Sequence, residues 1–396
     1  MTVDEAIQAA LTTSSAYTDA LADEQIAALE AKNATTRLLP AVGADAELVF
    51  NSAGAGTGVQ SFVSENSVQW YRGTVGLSGS IFGGLLASAT EERARLAAAH
   101  AGSEGARRAL IGATVEAYFG LALAEAQVSA AEDNVASAAD LARITGLRFA
   151  AGEVPEVDVL RTRMIAAGRQ DELAQATLGR TVAEAALAVL LGRDGEVEVT
   201  PLASTSIPVS PSDSAKMAAA DPAVTEARAE ADAARAGVTA TRAEWLPSIG
   251  YAFGYGVDTD TLGSELASHV GVVGSVNLHV PVFDWGLGAR SVDQAKIEVY
   301  RAEAAVAQAQ RVAAAELALA EATAASAEAR ASALEAVLPD ATRNAEISLA
   351  RYQAGEADLV ELDEARQSLV DARFAANSAR ADCLVARAQL HTLVGE

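Results

Sequence analysis

The chain repeats itself, and a repeat of this size restricts the folds open to it more than any local motif does. Residues 147–163 (LRFAAGEVPEVDVLRTR) align without a gap to residues 350–366 (ARYQAGEADLVELDEAR), so that Arg148 pairs with Arg351, Phe149 with Tyr352, and Gly152-Glu153 with Gly355-Glu356. Upstream, Leu39-Pro40 is answered by Leu246-Pro247 and Ile81-Phe82-Gly83-Gly84 by Val282-Phe283-Asp284-Trp285; downstream, Leu191-Gly192 is answered by Val394-Gly395. Each half reads in the same order: helix, strand, loop, strand, very long helix, tight turn, helix. The halves are predicted at residues 1–200 and 216–396. They are joined at 201–215 by an irregular connector whose Pro201, Pro208 and Pro211 suit neither helix nor strand.

The strand candidates fall where helical composition stops, at about 39–50 and 68–82 in the first half and about 246–257 and 269–283 in the second. Ile249, Tyr251, Phe253, Tyr255 and Val257 alternate with Gly250, Ala252, Gly254 and Gly256. This period-two pattern puts large apolar residues on one face. Val270, Val272, Val276 and Leu278 alternate with Gly271, Ser275, Asn277 and His279, with Val273 the exception. The first half is weaker but alternates too: Ala44, Ala46, Leu48 and Phe50 oppose Asp45 and Glu47, and Tyr71, Val75, Leu77 and Ile81 mark the second strand. Taken singly, these segments suit half-buried strands of a soluble sheet. Two hairpins alone make no substantial soluble sheet, however, and the flanking helices are too long to fold back over them. Outward aromatics with small residues inward suit a β-barrel in lipid, with Ile249, Tyr251, Phe253, Tyr255, Val272, Val276 and Leu278 facing the lipid. Residues 51–67 and 258–268, rich in Gly, Ser and acidic residues, are then the exposed loops. Four strands cannot close a barrel around a useful channel, so further copies must supply the remaining edges.

Two long helices are predicted at about 85–148 and 287–351, the second containing Pro339. At 1.5 Å per residue each reaches roughly 95–100 Å. Leu121, Val128 and Val135 step by seven, and abundant Ala lets neighbouring helices approach closely. Aromatics are only 5% of the chain, against 51% apolar residues in all. That is the composition of extended helices packed at short range and not of a compact enzyme.

A net charge of -24, with no basic stripe, argues against a nucleic-acid partner, since phosphate binding needs clustered Lys and Arg. Cys383 is the only cysteine, which precludes an intrachain disulfide. The opening MTVDEAIQAALTTSS has neither a basic nor an apolar signal region. No uninterrupted run of about 18 apolar residues is present, so no transmembrane helix is expected and any membrane crossing falls to a barrel. His100, His269, His279 and His391 are scattered without paired-ligand spacing, and no metal or other cofactor is expected. Gly286-Leu287-Gly288 lacks the rest of a dinucleotide fingerprint and reads as a tight turn. Asp358 and Glu361 read as helix-surface charge, because no aromatic sugar platform accompanies them.

Helix, hairpin, long helix, tip and return helix, occurring twice, resemble the TolC-like outer-membrane factor family across essentially the whole chain. The tip motifs Arg148-Phe149-x-x-Gly152 and Arg351-Tyr352-x-x-Gly355 carry most of that resemblance, with the Leu-Pro entries and aromatic-Gly exits of the hairpins. The resemblance implies a mainly α protein with a membrane β-barrel: a homotrimer whose twelve-stranded barrel continues into a periplasmic α-helical barrel. It implies a passive duct of a tripartite efflux pump or type I secretion system, exporting small molecules, ions or polypeptides and catalysing nothing. The implied partners are a periplasmic adaptor, an inner-membrane pump and outer-membrane lipid. By the same resemblance, Arg148, Gly152, Glu153, Arg351, Gly355 and Glu356 form the tips that meet the adaptor. Asp158, Glu361 and Glu364 fall at the pore constriction, with Arg161 a departure at the first-half counterpart of Glu364. A soluble periplasmic coiled-coil scaffold or adaptor is the alternative; it explains the helices but leaves the hairpins without a role.

Overall fold

A computed structural model describes residues 1–50, 69–81, 84–193, 195, 197–205, 207, 219–259 and 269–394. The expected loop at 51–67 and most of that at 258–268 lie outside the described residues. The elements are α1 (Val3–Thr13), α2 (Ser15–Thr36), β1 (Ala41–Phe50), β2 (Gln69–Ile81), α3 (Gly84–Ala150) and α4 (Glu156–Leu191). A short 3-10 turn (Leu202–Ser204) leads to α5 (Pro222–Ala243), β3 (Ser248–Thr259), β4 (Val270–His279), α6 (Leu287–Ala354) and α7 (Leu359–Val394). β4 stops at His279, short of the expected 283, because Pro281 has no N–H to give a ladder. The chain divides into two compact units. One comprises Met1–Ala22, Ala101–Thr225 and Gln308–Glu396; the other comprises Asp23–His100 and Glu226–Ala307.

The second unit holds one antiparallel sheet in the order β1-β2-β3-β4. Its register aligns the apolar alternation of all four strands. Val42, Leu77, Phe253 and Gly274 form one row across the sheet, and Ala44, Val75, Tyr255 and Val272 the next. A one-residue slip would scatter these side chains over both faces. Opposite them lie Gly43, Asp45, Thr74, Gly76, Ala252, Gly254, Ser275 and Asn277. A Cβ at Gly256 would collide with the Gly73 carbonyl, so on this face the strands use a backbone approach that only glycine permits. At the junction into α6 the Asp284 carboxylate accepts the N–H of Gly286 (3.0 Å) and that of Gly288. These bonds, the one from Gly288 first, hold its pKa below the usual carboxylate value. Gly286 turns at φ +80, which makes Gly286-Leu287-Gly288 a capped turn.

The first unit is helical. Tyr118, Phe119, Leu121, Leu187 and Leu191 are its fully buried anchors, packed with Ala6, Ala10 and Leu384. The Tyr118 hydroxyl donates to the Met1 carbonyl (2.8 Å) and accepts the Thr200 N–H (2.9 Å). The connector is fastened to α7 by arginines: Arg380 donates to the carbonyls of Leu202 (3.0 Å) and Ala203 (2.9 Å), and Arg387 to that of Ile207 (3.3 Å). Cys383 packs as a small residue against Ala331 and Ala379. The expectation that no helix is apolar enough to cross a membrane needs correction. α3 contains an 18-residue stretch of mean hydropathy 1.3, sufficient by length and composition. Its apolarity comes from Ala and aliphatic residues interrupted by occasional polar ones, and α3 supplies Val115, Tyr118, Phe119 and Leu121 to the helical core.

Candidate functional site

The sheet brings its expected lipid-facing residues together on one face. Ile249 and Leu278 are cross-strand partners, as are Tyr251 and Val276, and Tyr255 and Val272. Val272 is 78% exposed, Val276 67%, Tyr255 61% and Phe253 47%. Tyr251 is half-buried because its ring lies over Gly79, where a Cβ would come 2.5 Å from the hydroxyl. An apolar face this open is unlike a soluble sheet, whose apolar side packs on a core. β1 and β4 are the edges, so each leaves one row of backbone donors and acceptors unpaired within the sheet.

The helix tips belong to the first unit and share one backbone design. Gly152 and Gly355 both take φ +77, a left-handed conformation in which a Cβ is costly. The N–H of Glu153 returns to the Arg148 carbonyl and that of Glu356 to the Arg351 carbonyl, both at 2.9 Å. These bonds cap α3 and α6 and reverse the chain into α4 and α7. Arg148 lies 5.0 Å from the centroid of the Tyr352 ring and donates to the Tyr352 carbonyl at 2.8 Å and to Glu153 at 3.2 Å. The Tyr352 ring is buried with Leu141, Leu359 and Leu362, and its hydroxyl meets that of Thr145 at 3.1 Å. Nearby, Arg366 donates to the Ser137 carbonyl at 3.0 Å. Burial pushes its guanidinium pKa down while Asp363 and Asp140 pull it up.

The three candidate constriction acids have different surroundings. Asp158 is half-buried in the first turn of α4, its carbonyl accepting the Thr162 hydroxyl at 3.1 Å. Glu361 is ion-paired with Arg351, and the Asp358 carboxylate accepts the Glu361 N–H at 2.8 Å to cap α7. Glu364 is exposed one turn further on. Tyr352 entered the sequence reading only as part of the tip motif, with no role of its own, and Thr145 did not enter it at all. One signal was present: Tyr352 carries a hydroxyl where the first half has Phe149, and a buried phenol needs a partner. Nothing in the sequence pointed to Thr145.

The profile of the family described as outer membrane efflux protein matches residues 6–193 and 215–396. The cobalt-zinc-cadmium resistance protein CzcC of Cupriavidus metallidurans is 27% identical over 287 residues, covering 69% of this chain; the chain spans 64% of that relative's length. The CmeC outer membrane channel of Campylobacter jejuni superimposes with a TM-score of 0.87 at 20% identity, over 99% of this chain and 85% of that one. The open state of the MtrE outer membrane channel of Neisseria gonorrhoeae gives 0.87 at 22% identity, over 99% and 88%. At such identities the two structures establish the fold, and the profile match over both halves establishes the family. The chain belongs to the outer membrane efflux protein family and resides at the outer membrane.

Proposed function

We propose that this chain is one of three identical protomers of a passive duct, each giving four strands to a twelve-stranded barrel and its helices to a periplasmic α-helical barrel. The observation that carries this reading is the sheet: one face apolar and exposed, the other polar and lined by small residues, with an open edge on either side. Edge-to-edge pairing between copies satisfies both edges, turns the apolar face to lipid and the polar face to water. Transport energy then comes from an inner-membrane pump reached through a periplasmic adaptor, and the duct itself catalyses nothing. Of the cargo classes open to such a duct (small molecules, ions, or polypeptides of a type I secretion system), the name of the CzcC relative favours divalent metal cations.

The test pairs two substitutions on adjacent residues of β3. Phe253→Arg is expected to lower the yield of heat-resistant trimer by roughly 2–4 kcal/mol of assembly free energy if the position lies near the bilayer midplane. Gly254→Ser, on the polar face, is expected to be much milder. Equal tolerance of the two would count against this orientation, and a protein that stays soluble without detergent would replace the duct by the scaffold reading. Cargo is tested by deletion in the host. Sensitivity to zinc, cobalt and cadmium without sensitivity to hydrophobic drugs supports metal export.

A further inference from the structure

Within the first unit, α3, α6 and α7 border a groove. One part, walled by Glu116, Phe119, Leu123, Arg330, Asp382 and Val385, has a volume of about 650 Å³. A second part, walled by Arg108, Gly112, Glu316, Leu319 and Leu393, adds about 400 Å³. Both include Thr323, Ala386 and Gln389, so the groove is continuous. Each part alone has the size of a small-molecule site. Arg380 and Arg387, which fasten Leu202, Ala203 and Ile207, project from the side of α7 opposite to Asp382 and Gln389. The fastened connector therefore leaves the groove uncovered.

Surface acids are common on this chain, and what sets Glu116 apart is its neighbours. Gly112, Glu116 and Gly120 follow at four-residue steps, which puts all three on one face of α3. A Cβ added at Gly112 or Gly120 would meet no atom within 4 Å. Glycine inside a helix is destabilising relative to alanine, and no close approach among the described residues requires it at either position. The two glycines leave the helix bare one turn before and one turn after a carboxylate. That is room for an occupant beside Glu116, bounded by the apolar Phe119, Leu123 and Val385.

The charges select the occupant. Arg330 is paired with Asp382 at 3.0 Å and Arg108 with Asp221 at 3.5 Å, so both cations of the groove are already matched. Glu116 and Glu316 are exposed and have no ion-pair partner among the described residues. We infer that the groove is a binding site for an organic cation with an apolar body, its positive group against Glu116 and its body against Phe119, Leu123 and Val385. A carboxylate beside low-dielectric walls attracts a cation more strongly than one on an open helix. The walls add affinity through buried apolar area, which a hydrated metal ion does not use. Glu316 extends the negative potential along the groove. The site lies within one chain, so it goes beyond the trimeric duct and holds whichever cargo that duct passes.

Equilibrium dialysis of the full protein, with the same detergent on both sides, compares tetraphenylphosphonium with tetraphenylborate, ions of one shape and opposite charge. Saturable binding of one tetraphenylphosphonium per chain is expected, with tetraphenylborate at least tenfold weaker. Glu116→Gln is expected to weaken the cation at least fivefold and Glu316→Gln by less. Gly120→Leu places a good helix former in the open space and is expected to abolish saturable binding. Circular dichroism and molecular mass in detergent confirm that each variant is folded and assembled like the parent; if Gly120→Leu is not, Glu116→Gln decides alone. Equal binding of the two ions, or a Glu116→Gln protein that binds like the parent, reduces the effect to detergent partition and overturns the site. Binding that is present in monomer and lost in trimer puts a second copy in the groove and also overturns it. A protein that is monomeric by mass and still binds with the expected charge preference supports the site while removing the trimer.

Discussion

The two helix tips share a backbone and differ in what their side chains do. Both turn on a glycine at φ +77 with the same returning hydrogen bond. Yet Phe149 is 44% exposed while Tyr352, at the aligned position, is 2% exposed. The arginines are reversed in the same sense. Arg148 reaches across to the other tip and packs on Tyr352, whereas Arg351 stays on its own tip, paired with Glu361. A duplicated turn has thus been kept for its backbone geometry while its side chains specialised, one tip supplying the clamp and the other the surface it grips.

The largest expected asymmetry follows from burial. Tyr352→Ala removes a fully buried ring, its hydroxyl contact with Thr145 and the surface under Arg148, and is expected to cost about 3–5 kcal/mol. Phe149→Ala removes a ring already half in water and is expected to cost below about 1 kcal/mol. Denaturant midpoints at unchanged slope measure both. Similar losses at the two positions would erase the distinction between the tips.

The shared backbone makes the opposite prediction, that the glycines are equivalent. Gly152→Val and Gly355→Val each force a β-branched residue into the left-handed region, at about 1–2 kcal/mol apiece. The same titration reads this, with adaptor capture as a second readout, since the turns should be disturbed before the sheet. A cost confined to Gly355 would mean that the nearby Arg148 guanidinium, 3.7 Å from where its Cβ would fall, matters more than the turn itself.

Much of this was legible in the sequence where a physical rule acts over a short range. The period-two alternation placed Tyr251, Phe253 and Tyr255 on one face, and the register carries that face across the sheet because the alternation in each strand leaves one pairing that keeps it whole. The tip glycines were legible because reversing a helix in so few residues needs a left-handed residue. The grip of Arg148 on Tyr352 was not, because the two are 204 positions apart and no periodicity links them. Nor was the exposure of Met164 and Val189 on α4, since spacing alone cannot say whether an apolar face meets its own chain or another. The pairing of Glu361 with Arg351 was not legible either, because it crosses the turn.

The arginines give a smaller contrast. Arg148→Met gives up a 2.8 Å bond to a carbonyl and a packed cation–π contact, expected at about 1–2 kcal/mol. Arg351→Met gives up a pair whose side chains are 45% and 41% exposed, worth below about 1 kcal/mol once solvent screening is included. A double-mutant cycle of Arg148→Met with Tyr352→Leu isolates the cross-tip term. A coupling near zero would reduce the clamp to coincidence of packing.

The smallest effects are expected for the acids, and they are electrical. If the tips form the narrow end of the proposed duct, three-fold symmetry repeats each carboxylate as a ring, and a narrow aqueous passage concentrates its field. The three rings should not be equal. Glu361 is offset by Arg351, so the pair adds little net field, and Glu361→Gln leaves the guanidinium as a net positive charge. No such partner offsets Asp158, half-buried at the start of α4, among the described ion pairs; Glu364 is exposed and more fully screened. Reversal potentials of single channels at low salt should therefore show Asp158→Asn reducing cation preference by roughly two- to threefold, and Glu364→Gln by less. Glu361→Gln should exceed Glu364→Gln, because its neighbouring arginine is left uncompensated. All three differences should shrink at high salt as the Debye length falls. A triple variant with unchanged selectivity at low salt would move these acids off the water path, and the contrast between the tips would then be one of packing alone.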